Sequence, residues 1–469
     1  MDFRHYIAIY RLYDKIFSII LPDGTPMNTL TLQLYVQGQW HDAALLSVAN
    51  PQQGLRAGCT LGYISNYLVD CLEKEHTALA WSLSANLPLG WAAYANAPVW
   101  AALQDIIPAG AARRFLEQRY GQQRPADMAM DVFLLAQCTP APIGHLRIKE
   151  AAELIATAPV LGFSRDSVVR RDNHFLEYAY EQGAAIGGAT GAGGEAPKLL
   201  LTEAADGLLY ADASLADEHA VTHWFIKFPR HTANATDQDI LRSEYCYYRA
   251  IHQLGFSTVE QSGLTLEEMN KPSLWMRRFD RRVENQQVQR FAVESIYSLL
   301  EVTEPGSYLQ HVEVLKRLIR LWRVQQQEST IADLVLEYLR RDLLNHVLGN
   351  SDNHGRNTSI IRGEQSIALA PIYDLAPMVM DDEGITRTTK WPQTLERGGQ
   401  VDWLAVCQLV GELADLTPEW LYQQLRDTAQ LLLALPDLLL DLGLPERTWQ
   451  HPRIPLRHLQ RQFTLWGLC

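Results

Sequence analysis

Residues 349–361 read GNSDNHGRNTSII, a polar loop in which Asp352 and Asn357 stand five positions apart, ahead of a strand-like run from Thr358 to Arg362. Upstream, Ile331, Leu334, Val335, Tyr338, Leu339, Leu343, Val347 and Leu348 recur at steps of three and four, which puts an apolar stripe on one long helix leading into the loop. Phosphotransfer loops of the protein-kinase type need a carboxylate to accept the attacking hydroxyl's proton and, five residues on, an amide oxygen to hold a magnesium ion. Asp352 and Asn357 have that spacing. Alone the pattern is weak, because an Asx-rich turn in which Asn350, Asp352 and Asn353 bond their own backbone also accounts for it. His354 and Arg356, inside the pair, are placed either to orient the loop or to contact phosphate.

The continuation adds weight. Gly363-Glu364-Gln365 reads as a turn between Thr358–Arg362 and a strand over Ser366–Ala370, so the chain doubles back and Asp374 emerges close to Asn357. A carboxylate beside an amide oxygen suits a magnesium ion that shares its shell with phosphates and water. A helix cap before Leu375-Ala376-Pro377 is the other reading of Asp374. Farther upstream, AAIGGATGAGGEA from Ala184 to Ala196 is nearly free of side chains and precedes a strand-like Lys198-Leu199-Leu200-Leu201. Such a stretch lets backbone N–H groups approach phosphate oxygens, and it also fits a flexible linker. Next, HWFIKFP from His223 to Pro229 reads as a strand carrying Lys227. A helix follows over about Asp237–Leu254, with a Thr236-x-x-Asp239 capping signal and Glu244 on the face of Leu241, Tyr248 and Ile251. An inward ammonium and an inward carboxylate are costly unless paired, and a strand Lys paired with a helix Glu is how kinases position the lysine that grips nucleotide phosphates. An unrelated surface lysine and a rim glutamate is the alternative.

Composition narrows the field. With 41 basic against 54 acidic side chains in 469 residues, the net charge of -13 argues against autonomous nucleic-acid binding, and the longest basic clusters are Arg277-Arg278 and Arg281-Arg282. Six cysteines without a C-x-x-C pair suggest a reducing cytoplasm rather than a zinc site or a disulfide framework. No membrane span is expected, since LLLALPDLLLDLGL from Leu431 is broken by Pro436, Asp437 and Asp441. The N-terminal MDFRHYIAIYRLYDKIF mixes Arg4, Arg11, Asp14 and Lys15 into its apolar residues, lacks the clean apolar core of a signal peptide and is expected to be structured. Gly121–Ala126 reads as a linker, with a new unit beginning at the apolar run Val132–Ala136. No G-x-S-x-G elbow and no H-E-x-x-H motif occurs.

Taken in order, TGAGGEAPKLLL, HWFIKFP, SEYCYYRA, WMRRFDRR, GNSDNHGRN and PIYDLAPM resemble the HipA family of bacterial serine/threonine kinases, the toxin halves of type II toxin-antitoxin pairs. LGYISNYLVDCL, LPLG and IIPAGAARRFL resemble that family's N-terminal subdomain, so the resemblance covers roughly residues 25 to 390. It implies a two-lobed, protein-kinase-like α+β fold: a mixed N-terminal subdomain over residues 1–140, an N-lobe over 141–280 and a mainly helical C-lobe over 281–469. By position it implies Asp352 as catalytic base and Asn357 and Asp374 as magnesium ligands. Lys227 would anchor phosphate, paired to Glu244, and Gly193, Gly194 and Lys198 would wrap the triphosphate. Backbone groups of Arg277 and Phe279 would hold adenine, with Asp280 near the ribose, and His354 and Tyr373 would complete the nucleotide site. The alternative for this hinge is a core Phe279 flanked by solvated arginines.

Three departures stand out. A serine of the Gly-rich loop that family members often autophosphorylate is replaced by Gly191; Thr190 is the nearest hydroxyl, so self-inactivation either uses Thr190 or is absent. Arg277 stands where an acidic residue is common and Arg356 where lysine is common. The resemblance implies ATP and Mg2+ as cofactors, a translation factor such as an aminoacyl-tRNA synthetase as substrate, and a small DNA-binding antitoxin as partner, through which any operator contact is made. The few clustered positive charges are then expected to serve ATP. A small-molecule kinase of the aminoglycoside-phosphotransferase type and an inactive nucleotide-binding co-repressor are the rival readings.

Overall fold

The computed structural model describes residues 29–73, 79–156, 160–171 and 198–469, so the N-terminal segment and the loop residues Thr190, Gly193 and Gly194 lie outside the described residues. Strands and helices mix in an α+β architecture, in two compact units built from discontinuous stretches of chain. One unit takes in the described residues up to Ile226 together with Arg277–Thr303 and Ile361–Gln365; the other takes in Lys227–Met276, Glu304–Ile360 and Ser366–Cys469.

In the first unit, a five-stranded sheet runs in the order Tyr94–Asn96, Cys59–Tyr63, Gln39–Val48, Thr29–Val36, Leu146–Ile148. Alternating Leu30, Leu32 and Leu34 face a core shared with Leu46, Leu61 and Leu103. Gly121–Gln123 is no linker: it is a single turn of 3-10 helix after Gly110–Tyr120, and the helix Met130–Gln137 buries Val132–Ala136 in that same core, as do Ile148 and Ala151. An apolar run of that length needs the sheet to cover it, so the N-terminal core extends past residue 140. A second set of strands, Lys198–Ala204, Leu209–Ala211 and Ala220–Lys227, belongs to this unit except for its last residue.

Buried charge networks link residues on both sides of 280/281 and of 140/141. Arg278 donates from Nε and Nη2 to the two carboxylate oxygens of Asp280, at 2.9 and 2.6 Å, and from Nη1 to Asp212 at 2.9 Å. Arg281 adds a 2.7 Å bond to Asp280 and one of 3.1 Å to the Pro142 carbonyl, while the Gly144 N–H donates to Asp280 at 2.7 Å. Asp212 also accepts from Thr202 and pairs with His223, each at 2.7 Å. The loop at 142–144, the strands before Ile226 and the segment after Arg277 are thus one electrostatic body. Likewise Arg362, beyond the GNSDNHGRN loop, pairs with Glu294 at 3.0 Å and donates to the Leu79, Ser82 and Leu83 carbonyls. Arg278 and Arg281 are therefore neither a solvated patch nor cations serving ATP; only Arg282 of those two arginine pairs is well exposed, its side chain at 61%.

The second unit is mainly helical. His311–Val324, Ile331–Val347, Trp403–Ala414 and Pro418–Leu432 are its longer helices besides Ala235–Gln253, and every residue of the stripe from Ile331 to Leu348 named above is buried. The helix carrying Glu244 starts earlier than its sequence suggests, because Asn234 and Asp237 form the capping box in place of Thr236 and Asp239. Among the described residues no helix is long and apolar enough to cross a membrane.

Burial alone would raise the pKa of Asp280, but Arg278, Arg281 and the Gly144 N–H hold it down at about 2. Its ion pairs thus add stability that is complete above about pH 4 and lost as the pH falls toward 2. Arg278→Ala leaves two carboxylates buried without their main cation, and urea denaturation of the variant is expected to show a loss of about 3–5 kcal/mol.

Candidate active site

Lys227 ends its strand with the side chain 5% exposed, inside the second unit. Its ammonium bonds Glu244 Oε1 at 2.5 Å and Asp374 Oδ1. Burial by itself pulls the lysine's pKa down; the Asp374 and Glu244 carboxylates outweigh it and hold the pKa above the ordinary value, so Lys227 stays charged. Tyr248, one helical turn after Glu244, donates its hydroxyl to the same Oε1 at 2.5 Å. Asp374 caps no helix. It takes a positive φ of 52°, a conformation costly for a non-glycine residue, and its carbonyl accepts from Asn350 Nδ2 at 3.4 Å.

The loop bearing Asp352 and Asn357 is seated by the end of the helix before it. Gly349 (φ 68°) is the left-handed residue that terminates Ile331–Val347, and the Asn350 N–H returns to the Asn345 carbonyl at 2.9 Å, the Schellman pattern. A Cβ at position 349 would come within 2.7 Å of Ile454 Cγ1 and 2.9 Å of Val379 Cγ2, so only glycine fits. Asn350 Oδ1 accepts the Asp352 N–H at 3.1 Å, the Asx turn that the sequence allows. His354 Nδ1 accepts the Arg356 N–H at 3.2 Å, which leaves the proton of a neutral ring on Nε2, 3.5 Å from Asp352 Oδ1. Tyr373 braces the loop from below, donating to the Arg356 carbonyl at 2.7 Å and meeting Ser359 Oγ at 2.6 Å.

Nothing in the sequence around Asn353 signals a long-range role. Its amide does not close on its own backbone: Nδ2 donates to the Thr389 carbonyl at 2.7 Å, Oδ1 accepts from the N–H groups of Thr388 and Thr389, and Thr389 Oγ1 returns to the Asn353 carbonyl at 2.7 Å. The segment it grips is held in turn by Asp342, which accepts from Arg387 and from Trp391 Nε1, each at 2.8 Å. No local pattern announces these bonds, because their partners lie far along the chain.

The donor set fits a magnesium ion. Asn357 Nδ2 donates to the Asp352 carbonyl at 2.6 Å, which turns Oδ1 away; that oxygen is buried and has no hydrogen-bond partner. An orphaned amide oxygen and the Asp374 carboxylate are hard oxygen ligands of the kind magnesium takes. Other assignments fare differently. Lys198 opens its strand in the first unit and is buried. Arg277 and Phe279 are half-buried. Asp280 is 2% exposed with both carboxylate oxygens engaged by Arg278, Arg281 and Gly144, so it is a structural anion and not a ribose ligand.

Residues 190–432 match the family described as the HipA-like C-terminal domain, just over half of the 469 residues, and the chain belongs to that family. Over nearly its whole length it shares the fold of HipA from Shewanella oneidensis MR-1, solved with HipB and operator DNA. That match has a TM-score of 0.63 at 16% identity and covers 94% of this chain and 96% of that one. It is also similar to Toxin YjjJ of Escherichia coli K12, 26% identical over 189 residues; the match spans 40% of this chain and only 38% of that protein's length.

His346, against Arg387, is driven by burial and by that guanidinium down to a pKa of about 3 despite Asp342 nearby. A histidine whose folded pKa lies below its unfolded value contributes stability that is full above about pH 6.5 and falls as the pH drops toward 3. His346→Gln is expected to flatten the stability profile across that window by up to about 1.4 kcal/mol per pH unit, measured by urea denaturation at stepped pH.

Proposed function

We propose that this chain is an ATP-dependent, magnesium-requiring serine/threonine protein kinase acting as a HipA-like toxin in the cytoplasm. The observation that carries the reading is the buried Lys227, shared by Glu244 and Asp374 in the same unit as Asp352 and the orphaned Asn357 oxygen. Lys227, kept charged by its partners, holds nucleotide phosphate oxygens, and Glu244 and Tyr248 fix its ammonium in place. Asn357 and Asp374 would hold the metal, which supplies neutralisation of the phosphate charge. Asp352 accepts the proton of the attacking hydroxyl, with His354 Nε2 standing 3.5 Å from its carboxylate. For Gly193, Gly194 and Lys198 as triphosphate contacts, and for the backbone of Arg277 and Phe279 as adenine contacts, the support is the family resemblance alone. The proposed substrate is a translation factor such as an aminoacyl-tRNA synthetase. A small DNA-binding antitoxin is the proposed partner, by analogy with the Shewanella HipA bound to HipB and operator DNA.

Induced expression of wild type and Asp352→Gln, followed by growth curves and phosphoproteomics, tests this. Wild type is expected to arrest growth and Asp352→Gln to relieve the arrest, with phosphotransfer reduced by about 10²–10⁴-fold. Equal growth with no phosphosite dependent on Asp352 rejects the reading. Intact mass after incubation with Mg-ATP is expected to rise by one phosphate in wild type, and Thr190→Ala is expected to abolish that gain.

A further inference from the structure

The helical unit holds a second feature that the phosphotransfer chemistry leaves unused: a cavity of about 440 Å3, within the range of ligand sites. Asn350 and Ser351, immediately ahead of Asp352, form part of its wall, so it opens within one residue of the proposed base. Arg387, Lys390, Glu396 and Arg453 also line it. Arg387 is already neutralised, at 2.8 Å from Asp342 and 3.3 Å from Glu396. Lys390 and Arg453 are not: among the described residues neither ammonium nor guanidinium meets a carboxylate, and the one ring contact of Lys390 is the face of Tyr308 at 5.6 Å. Two uncompensated cations in one concavity are out of keeping with a chain of net charge -13, and they focus a positive field there. Ser351 adds a buried hydroxyl with no hydrogen-bond partner. The wall is also preorganised, because the bonds from Asn353 to Thr388 and Thr389 and from Asp342 to Arg387 and Trp391 fix the segment that presents Lys390.

We infer that this cavity is an oxyanion site, taking a phosphate or carboxylate group carried by the protein whose hydroxyl is phosphorylated, with Lys390 and Arg453 as its cationic contacts. The source of the anion rests on the protein-kinase reading; the oxyanion chemistry does not. A guanidinium offers paired N–H donors and an ammonium a compact charge, the combination that phosphates and paired carboxylates accept. Because the site shares Asn350 and Ser351 with the loop of Asp352 but does not include Asp352 itself, it selects which acceptor segment is presented and takes no part in proton transfer.

The test uses the full chain and two readouts. Isothermal titration with inorganic phosphate is expected to weaken by at least about tenfold in the Lys390→Ala/Arg453→Ala double variant and to be retained in Lys390→Arg/Arg453→Lys, a difference of about 1.4 kcal/mol. Serine peptides with glutamate or phosphoserine flanks are expected to show about tenfold higher kcat/KM than alanine-flanked ones in wild type, through KM, and no preference in the double alanine variant. Phosphate binding that survives the double alanine change overturns the site, as does an active enzyme indifferent to acidic flanks. Phosphate binding lost in the variant, together with no phosphotransfer by wild type to any peptide or cellular protein, upholds the oxyanion site while overturning the kinase reading and the acceptor protein as the anion's source.

Discussion

A single ammonium, that of Lys227, is shared by two carboxylates in a place where water does not compete. An unpaired charge there would cost several kcal/mol, so strand end, helix and the segment at Asp374 are obliged to converge if any is to be buried at all. Glu244 anchors the lysine from the helix and Tyr248 fills a remaining lone pair of that carboxylate. Asp374 reaches the same ammonium from a left-handed backbone. The strain at Asp374 is therefore offset by the charge pair it completes. Around this point the rest of the site is arranged: Asn350 ties the Asp374 carbonyl to the loop of Asp352, and Tyr373 supports that loop from the residue before.

The first unit uses buried charge for a different purpose. Arg278, Arg281, Asp212 and Asp280 form a closed set in which guanidinium and carboxylate satisfy one another and the carbonyls at 142 and 144. Arg362 and Glu294 do the same against the turn at 79–85. These are cross-links between stretches far apart in sequence, and they account for units that are discontinuous along the chain. Their three guanidinium groups and three carboxylates cancel one another, so the net charge of -13 is carried by the rest of the chain.

Much of this is legible in the sequence. The stripe from Ile331 to Leu348 reports its helix because burial of one face imposes a period on the sequence. The convergence of Lys227 with Glu244 follows from the cost of leaving either inward charge alone. The illegible parts share one cause, in that their partners are remote. The ribose role of Asp280 is implied only by the family resemblance, and only the fold shows Arg278, Arg281 and the Gly144 N–H gathered on its carboxylate. Asn353 looked like one more turn residue, since nothing within five positions betrays its bonds to Thr388 and Thr389. Gly121–Ala126 looked like a boundary because glycine and proline punctuate locally, whereas core membership is decided by what covers Val132–Ala136.

Gly349 carries a consequence for the order of events during synthesis. The residues that close over it are Val379 and Ile454, the second more than one hundred positions downstream. A ribosome adds residues at about 5–20 per second, so the helix ending at Val347 is complete several seconds before Ile454 emerges. Through that interval the loop of Asp352 has its covalent neighbours but no finished seat. The loop of Asp352 thus ripens late, and the segment at Ile454 acts as the last fitting of a part begun long before.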